Sequence, residues 1–165
     1  PARTGVRIEA ATALQLAAHP RIVGLKDCGG NLRDTQALIA DGRLQVLAGD
    51  DAQIFATLCL GGAGAIAASA QVCPQQFVAL YRALRDRRMD EARTLAQELA
   101  PLIELMFAEP NPAPVKALLA HMGLIEDELR APMTRASARL RDQLFGALRA
   151  DLGRKAVQTA SSVSR

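Results

Sequence analysis

The pattern of hydrophobic and polar positions divides the chain into two parts of different character. In the first part, helical segments alternate with short, continuously apolar stretches, and glycine and aspartate residues mark the turns. Strands without polar alternation are buried on both faces, which is typical of a parallel sheet covered by helices. The pattern predicts helices at 9–18, 32–40 and 52–60 and strands at 22–25, 44–48 and 65–68.

From about residue 74 onwards the pattern is helical throughout. Phe77, Leu80, Tyr81 and Leu84 recur at helical spacing, so we expect Tyr81, the single tyrosine, to be a core residue. A proline-rich connector at 109–114 precedes two further helices. The pattern therefore predicts an α/β structure followed by a helical region.

Three parallel strands make an unusual sheet for a chain of 165 residues. A closed (β/α)₈ barrel needs eight strands and about 250 residues. Three strands alone would leave long apolar edges unpaired. The pattern therefore leaves two possibilities: a small open α/β fold, or the last part of a barrel whose earlier strands are absent.

Composition narrows the classes of partner. Aromatic residues make up 3% of the chain and the net charge is +3, so we expect solvated helix faces and no nucleic-acid partner. No apolar stretch reaches the length of a membrane span, so we expect no membrane partner. Cys28, Cys59 and Cys73 are too few and too widely spaced for a disulfide framework or a zinc site. We expect a reduced, cytoplasmic protein that holds no metal.

Lys26 ends the first apolar stretch. Side chains alternate along a strand, which places Gly24 and Lys26 on one face. In a barrel Lys26 would lie at the C-terminal rim, where active sites form, and a desolvated amine there can attack a ketone. The alternative is that Lys26 merely ends the strand and extends into water, and spacing alone favours this alternative.

Several segments, taken together, favour a reactive Lys26 over a Lys26 that merely ends the strand. Residues 22–32 read Ile-Val-Gly-Leu-Lys-Asp-Cys-Gly-Gly-Asn-Leu, residues 1–5 read Pro-Ala-Arg-Thr-Gly, and residues 109–116 read Glu-Pro-Asn-Pro-Ala-Pro-Val-Lys. Gly-Asp-Asp at 49–51 and the glycine-rich stretch at 61–66 lie in order between them. This combination resembles the dihydrodipicolinate synthase / N-acetylneuraminate lyase family of pyruvate-dependent class I aldolases, over the chain up to about residue 153.

The resemblance implies the last part of a (β/α)₈ TIM barrel, with about three parallel strands, followed by the family's C-terminal helical region. It assigns residues 1–73 to the last three strands and their helices. Residues 74–153 would form the final barrel helix and the helical region, and residues 154–165 a flexible tail.

The resemblance also implies a reaction. Lys26 would form a Schiff base with pyruvate, whose enamine would attack aspartate semialdehyde in the biosynthesis of lysine and diaminopimelate. Arg3 would bind the semialdehyde carboxylate, and Gly49 and Ile66 would line the pyruvate pocket. The imine on Lys26 is covalent, so no cofactor is expected. The family assembles as homotetramers.

Two departures from the family pattern leave alternatives open. The proton-relay tyrosine of the first motif would lie just before Pro1, the second tyrosine and the Thr-Thr pair of the relay would lie further towards the family's N-terminus, and Tyr81 cannot replace them. The chain could be a catalytically incomplete fragment that needs the N-terminal half. A sugar-acid lyase of the same family is the other alternative, although Arg3 argues against it.

We expect the remaining polar candidates to have structural roles. His19 and His121 have no partner at metal-ligand spacing, and Cys28 is expected to pack near Lys26. Asp27 should point away from Lys26. Asp50 and Asp51 should cap the helix that follows them.

Overall fold

The computed structural model describes residues 1 and 3–163, and it describes side chains for residue 1 and residues 3–150. The chain forms two compact units, one of residues 1–67 and 75–96 and the other of residues 68–74 and 97 onwards. The strands are β1 (Gly24–Asp27), β2 (Gln45–Ala48) and β3 (Gly64–Ala65). The helices are α1 (Ala10–Leu16), α2 (Leu32–Asp41), α3 (Ile54–Cys59), α4 (Pro74–Arg85), α5 (Met89–Met106), α6 (Ala113–His121) and α7 (Ala138–Val163), with 3₁₀ turns at Asp51–Gln53 and Ser69–Gln71.

The three strands form one parallel sheet in the order β1-β2-β3. Lys26 pairs with Leu47 and Asp27 with Ala48, and Ala48 in turn pairs with Ala65. Parallel strands end at the same edge of a sheet, so the residues that follow β1, β2 and β3 lie along one line. This arrangement confirms the predicted alternation of helices with parallel strands.

One face of the sheet packs against helices. Leu38 of α2, Val46 of β2, Ala13 of α1 and Leu44 form a buried cluster, and Leu25 packs against it. Each fully buried aliphatic side chain contributes about 1.5–3 kcal/mol through its removal from water. This cluster holds β1 and β2 against α1 and α2.

The other face of β1 is exposed. Gly24 and Lys26 are exposed, whereas Leu25 and Asp27 alternate with them and are half-buried. The alternation is therefore the one expected of a strand, with Lys26 on the face away from the helices.

The strand boundaries differ from those predicted. Pairing with β2 begins at Gly24 and continues through Asp27, whereas the apolar pattern predicted a strand at 22–25. Ile22 precedes the strand and packs against the buried cluster. The strand extends through two charged residues because the ammonium of Lys26 faces the open side and the carboxylate of Asp27 is hydrogen-bonded.

Tyr81 is not a core residue, so that prediction is wrong. It is 40% exposed on α4, whereas Leu80 and Ala83 are buried. Leu80 and Ala83 lie three positions apart and centre the buried stripe of the helix, which leaves Tyr81 at its margin.

The second unit is helical in its described part. Val115, Ala117 and Leu118 are buried on α6, and Leu140 and Leu144 are buried on α7. The predicted apolar stripe of the last helix is therefore confirmed. The predicted flexible tail falls at 154–165, where side chains lie outside the described residues, and the predicted domain boundary at residue 73 stays a prediction.

Candidate active site

Lys26 is the third residue of β1 and projects from the exposed face of the sheet near its C-terminal edge. Asp27 O accepts a hydrogen bond from the backbone N–H of Gly49 (2.8 Å), which continues the β1–β2 ladder beyond the ends of the strands. The ladder brings the backbone of Gly49 beside the side chain of Lys26.

Gly49 is in close contact with two side chains. A Cβ atom at this position would lie 2.4 Å from Sγ of Cys28 and 2.8 Å from both Cγ and Cε of Lys26. All three distances are shorter than real Cβ contacts, so a larger residue at position 49 requires the side chains of Cys28 and Lys26 to shift. Lys26, Cys28 and Gly49 form what we call the lysine cluster.

The turn after Lys26 is held by the carboxylate of Asp27. Oδ2 accepts a hydrogen bond from Oγ1 of the buried Thr35 (2.5 Å), and Oδ1 accepts one from the N–H of Gly29 (2.8 Å). Hydrogen bonds to an ionised group are the stronger kind. Asp27 therefore points away from Lys26, as predicted, and joins the end of β1 to α2.

α2 begins immediately after this turn. Oδ1 of Asn31 accepts a hydrogen bond from the N–H of Arg33 (3.1 Å), so the predicted cap is confirmed. Nδ2 of Asn31 donates to Oδ2 of Asp34 (3.0 Å), and Arg7 forms an ion pair with the same oxygen (2.9 Å). Such a partly exposed pair contributes at most about 1 kcal/mol, but it connects the N-terminal segment to α2.

A cavity of about 420 Å³ lies between the N-terminal segment and the end of β1. Lys26 and Cys28 line it together with Asp27 and Arg7. Ala13, Leu25 and Leu38 of the helix-packed side of the sheet also line the cavity, whereas Gly49 does not.

The structure places the four predicted site residues as follows. Lys26 and Gly49 are in close proximity. Ile66 follows β3 at the same edge of the sheet; its N–H donates to the carbonyl of Ala48 (2.8 Å), and it is 50% exposed. Arg3 lies in the exposed N-terminal segment and is not among the residues that line the described cavity.

Two contacts of this site were not identified from the sequence. The hydroxyl of Thr35 reaches back eight residues to Asp27, and Arg7 reaches forward 27 residues to Asp34. Neither contact has a local sequence signal, because each depends on how α2 packs beside the N-terminal segment and β1.

The other polar candidates have structural contacts. Asp50 caps the 3₁₀ turn by accepting a hydrogen bond from the N–H of Ala52 (3.1 Å), as predicted, and Asp51 is buried in the same turn. Nδ1 of His19 accepts from the N–H of Arg21 (3.2 Å). In the helical unit, His121 stacks on Phe145 with ring centroids 4.0 Å apart.

Metal sites and membrane-spanning helices are two further features that the described residues could contain. In this part of the chain, His, Cys, Asp and Glu side chains form no group of three or more that could hold a metal ion. Within the same residues, no helix combines the length and apolarity that crossing a membrane requires.

Comparison with known proteins gives a match over most of the chain. The model of the dihydrodipicolinate synthetase family matches residues 1–151. The chain belongs to this family. Its membership confirms the resemblance carried by the lysine segment, the N-terminal segment and the proline-rich connector.

A curated relative from Thermodesulfovibrio yellowstonii, named 4-hydroxy-tetrahydrodipicolinate synthase, is 40% identical over 151 residues, which cover 90% of this chain and 52% of that protein. The crystal structure of the chloride-inhibited dihydrodipicolinate synthase from Acinetobacter baumannii, complexed with pyruvate, is 36% identical with a TM-score of 0.87. A structure described as the first monomeric dihydrodipicolinate synthase variant is 33% identical, also with a TM-score of 0.87. Each structural match covers 93% of this chain and 53% of the other.

The chain thus spans about half the length of the family members it matches. The close structural agreement over that half confirms the predicted fold class, the last part of a (β/α)₈ barrel with the family's C-terminal helical region. The described sheet has three strands and is not a closed barrel.

Proposed function

We propose that this chain carries the Schiff-base lysine of a dihydrodipicolinate synthase, and that Lys26 is that lysine. The observation that carries the proposal is the lysine cluster, in which the stem of Lys26 lies against Gly49 at the C-terminal edge of the parallel sheet. Barrel enzymes place their reacting groups at this edge. The family relatives named as synthases, and the matched structure described as a complex with pyruvate, support the same assignment.

The proposed reaction begins at Nζ of Lys26. The neutral amine attacks the keto carbon of pyruvate, and loss of water leaves an imine. Loss of a proton from the methyl group gives an enamine, whose carbon forms a bond to the aldehyde carbon of aspartate semialdehyde. The substrate amine then closes the ring by attacking the imine carbon, which releases Lys26.

Gly49 and Ile66 are proposed to line the pyruvate pocket, with Gly49 leaving the space that the Lys26 stem occupies. Arg3 is proposed to bind the carboxylate of the semialdehyde, for which a guanidinium provides two parallel donors. Its sequence neighbours Pro1 and Thr4 line the cavity beside Lys26, which supports this role.

The proposed reaction also needs groups that move protons at the imine. The family supplies them from tyrosines that precede the segment corresponding to Pro1. We therefore propose that full turnover requires the N-terminal part of the barrel, whereas imine formation requires Lys26. In the complete protein we propose a homotetramer in the cytoplasm, although one matched structure is described as a monomeric variant.

Trapping of the imine tests the assignment of Lys26. Incubation with pyruvate and sodium borohydride should reduce the imine to a stable amine, and peptide mass mapping should find the added mass on Lys26. Lys26→Arg should abolish the adduct, whereas Lys116→Arg, a change on α6 in the helical unit, should leave it unchanged. An adduct absent from Lys26, or present equally on Lys116, would contradict the proposal.

The second substrate is tested separately. Turnover of aspartate semialdehyde should exceed that of ketodeoxy sugar acids when the complete barrel is present. A preference for sugar acids would instead assign the chain to the lyase branch of the family.

A further inference from the structure

Cys28 is a nucleophilic neighbour of Lys26. The two residues stand two positions apart, on the same side of the chain, and Sγ of Cys28 and Cε of Lys26 both lie within 2.8 Å of the point where a Cβ of residue 49 would stand. The sulfur and the end of the lysine stem are therefore close neighbours across the α-carbon of Gly49. Both residues are exposed, and both line the 420 Å³ cavity.

The proximity has a steric consequence. The imine carbon of a keto acid joined to Nζ of Lys26 is two bonds from Cε, so its substituents must share space with the sulfur of Cys28. The same argument holds in the opposite direction, because a group attached to the sulfur must extend over the Lys26 stem or into the cavity.

We propose that the sulfur of Cys28 forms part of the pocket in which Lys26 meets its keto acid, so that a small thiol-directed electrophile bound to Cys28 blocks imine formation. This inference rests on the proposed role of Lys26. It assigns Cys28 as a covalent modification site for small electrophiles such as haloacetamides. In that reaction the thiolate forms the S–C bond, iodide leaves, and the thiol proton passes to solvent.

The chain provides two reference thiols. Cys59 is exposed at the end of α3, and partial burial raises the pKa of its thiol. Cys73 is buried, with its Sγ 3.5 Å from the carbonyl oxygen of Ser69. Neither cysteine lines the cavity beside Lys26 in the described residues.

The first experiment modifies the thiol and measures the imine. The chain is treated with iodoacetamide, and the pyruvate–borohydride adduct on Lys26 is then quantified by mass mapping. We expect alkylation to lower the adduct yield at least tenfold in the wild-type chain and in Cys59→Ala. In Cys28→Ala the yield with and without iodoacetamide should be equal.

The second experiment reverses the order. The imine is first reduced onto Lys26, and the alkylation rates of Cys28 and Cys59 are then compared with those in untreated chain. Cys28 should be protected at least tenfold, while Cys59 should react at its original rate.

The outcomes separate the two proposals. A Lys26 adduct that forms equally well on Cys28-alkylated chain, or a Cys28 that alkylates at an unchanged rate beside the reduced adduct, overturns the inference and leaves the role of Lys26 standing. The absence of any adduct on Lys26 in untreated chain overturns both.

Discussion

Gly49 presents its α-carbon to the side chains of Lys26 and Cys28 directly after β2. Glycine is favoured here by close approach, because a methyl group would overlap Sγ of Cys28 and the Lys26 stem unless these side chains move. A sequence motif can place a glycine at this distance from the lysine, but it cannot show which side chains use the space. The contact with Cys28 is therefore a finding of the structure.

Replacement of Gly49 by alanine should displace the Lys26 stem. Because misplacement of a reacting group by about 1 Å can cost on the order of 10²-fold in rate, we expect a loss of this order in the rate of adduct formation with pyruvate. The measurement is the time course of borohydride trapping. Gly146→Ala is the matched control, since a Cβ there meets nothing within 4 Å, and its trapping rate should be that of the wild type. An unchanged rate in Gly49→Ala would show that the contact does not position Lys26.

At the scale of elements, the end of β1 shows what an apolar pattern can and cannot predict. The pattern predicted a strand here because four apolar positions stand together, and it ended the strand before Lys26. The structure continues the strand through Asp27 because Thr35 of α2 and the N–H of Gly29 satisfy its carboxylate. The strand boundary thus depends on a helix that the local sequence of β1 does not contain.

The contribution to stability of the Thr35–Asp27 hydrogen bond, which joins α2 to β1, can be measured by replacing Thr35 with valine. The variant keeps the shape of the buried side chain but removes the donor to the Asp27 carboxylate, so we expect a loss of about 1.5–3 kcal/mol in the free energy of unfolding. The urea midpoint reports this loss. Thr94→Val removes an exposed hydroxyl whose hydrogen bond within the described residues is to the backbone carbonyl of Asp90 (3.0 Å), and it should change stability by no more than about 0.5 kcal/mol. Equal effects of the two substitutions would argue against a special role for the Thr35–Asp27 bond.

The proline-rich connector and α7 are joined in a comparable way within the helical unit. Oε2 of Glu109 accepts a hydrogen bond from the N–H of Ser137 (2.9 Å), just before α7 begins. Hydrogen bonding to the side chain and backbone of Ser137 lowers the pKa of the Glu109 carboxyl below its ordinary value of 4.5.

This lowered pKa predicts a pH dependence of stability. Because the folded-state pKa is below the unfolded one, the contribution of Glu109 is present above about pH 4.5 and is lost as the pH falls through the folded-state value. In acid titrations followed by circular dichroism, the stability of the wild type should therefore decline relative to that of Glu109→Gln below pH 4.5. Glu98→Gln, at an exposed position on α5, should follow the wild-type curve. Parallel curves for Glu109→Gln and the wild type would contradict the prediction.

At the scale of the whole molecule, the chain spans about half the length of its relatives, and its sheet has edges at β1 and β3. Within the described residues each of these strands pairs with one neighbour, which leaves a row of backbone groups available for a further strand. The proposed proton-transfer groups belong to the part of the family barrel that this chain does not span. We therefore expect that the part of the barrel that would complete the sheet also supplies the groups that would complete the reaction.

Complementation tests this expectation directly. Co-production with the N-terminal half of the Thermodesulfovibrio yellowstonii relative should yield a complex that elutes as one species and condenses pyruvate with aspartate semialdehyde. Each half alone should show no condensation above background, and Lys26→Ala should abolish it in the complex. Condensation by this chain alone at the rate of the complex, or an inactive complex, would contradict the assignment of proton transfer to the other half.

The sequence by itself determined the order of helices and parallel strands and the caps at Asn31 and Asp50, whereas Lys26 became the candidate nucleophile only through the resemblance to the family. These features depend on local periodicity and on residue types at fixed spacing, which a linear chain displays.

Only the tertiary structure decided that Cys28 shares the space over Gly49 with Lys26, that Thr35 anchors Asp27, and that Tyr81 lies at the margin of its helix. These features depend on which elements meet and at what distance, because a glycine, a threonine or a tyrosine has the same local pattern whether its neighbour is solvent or another side chain.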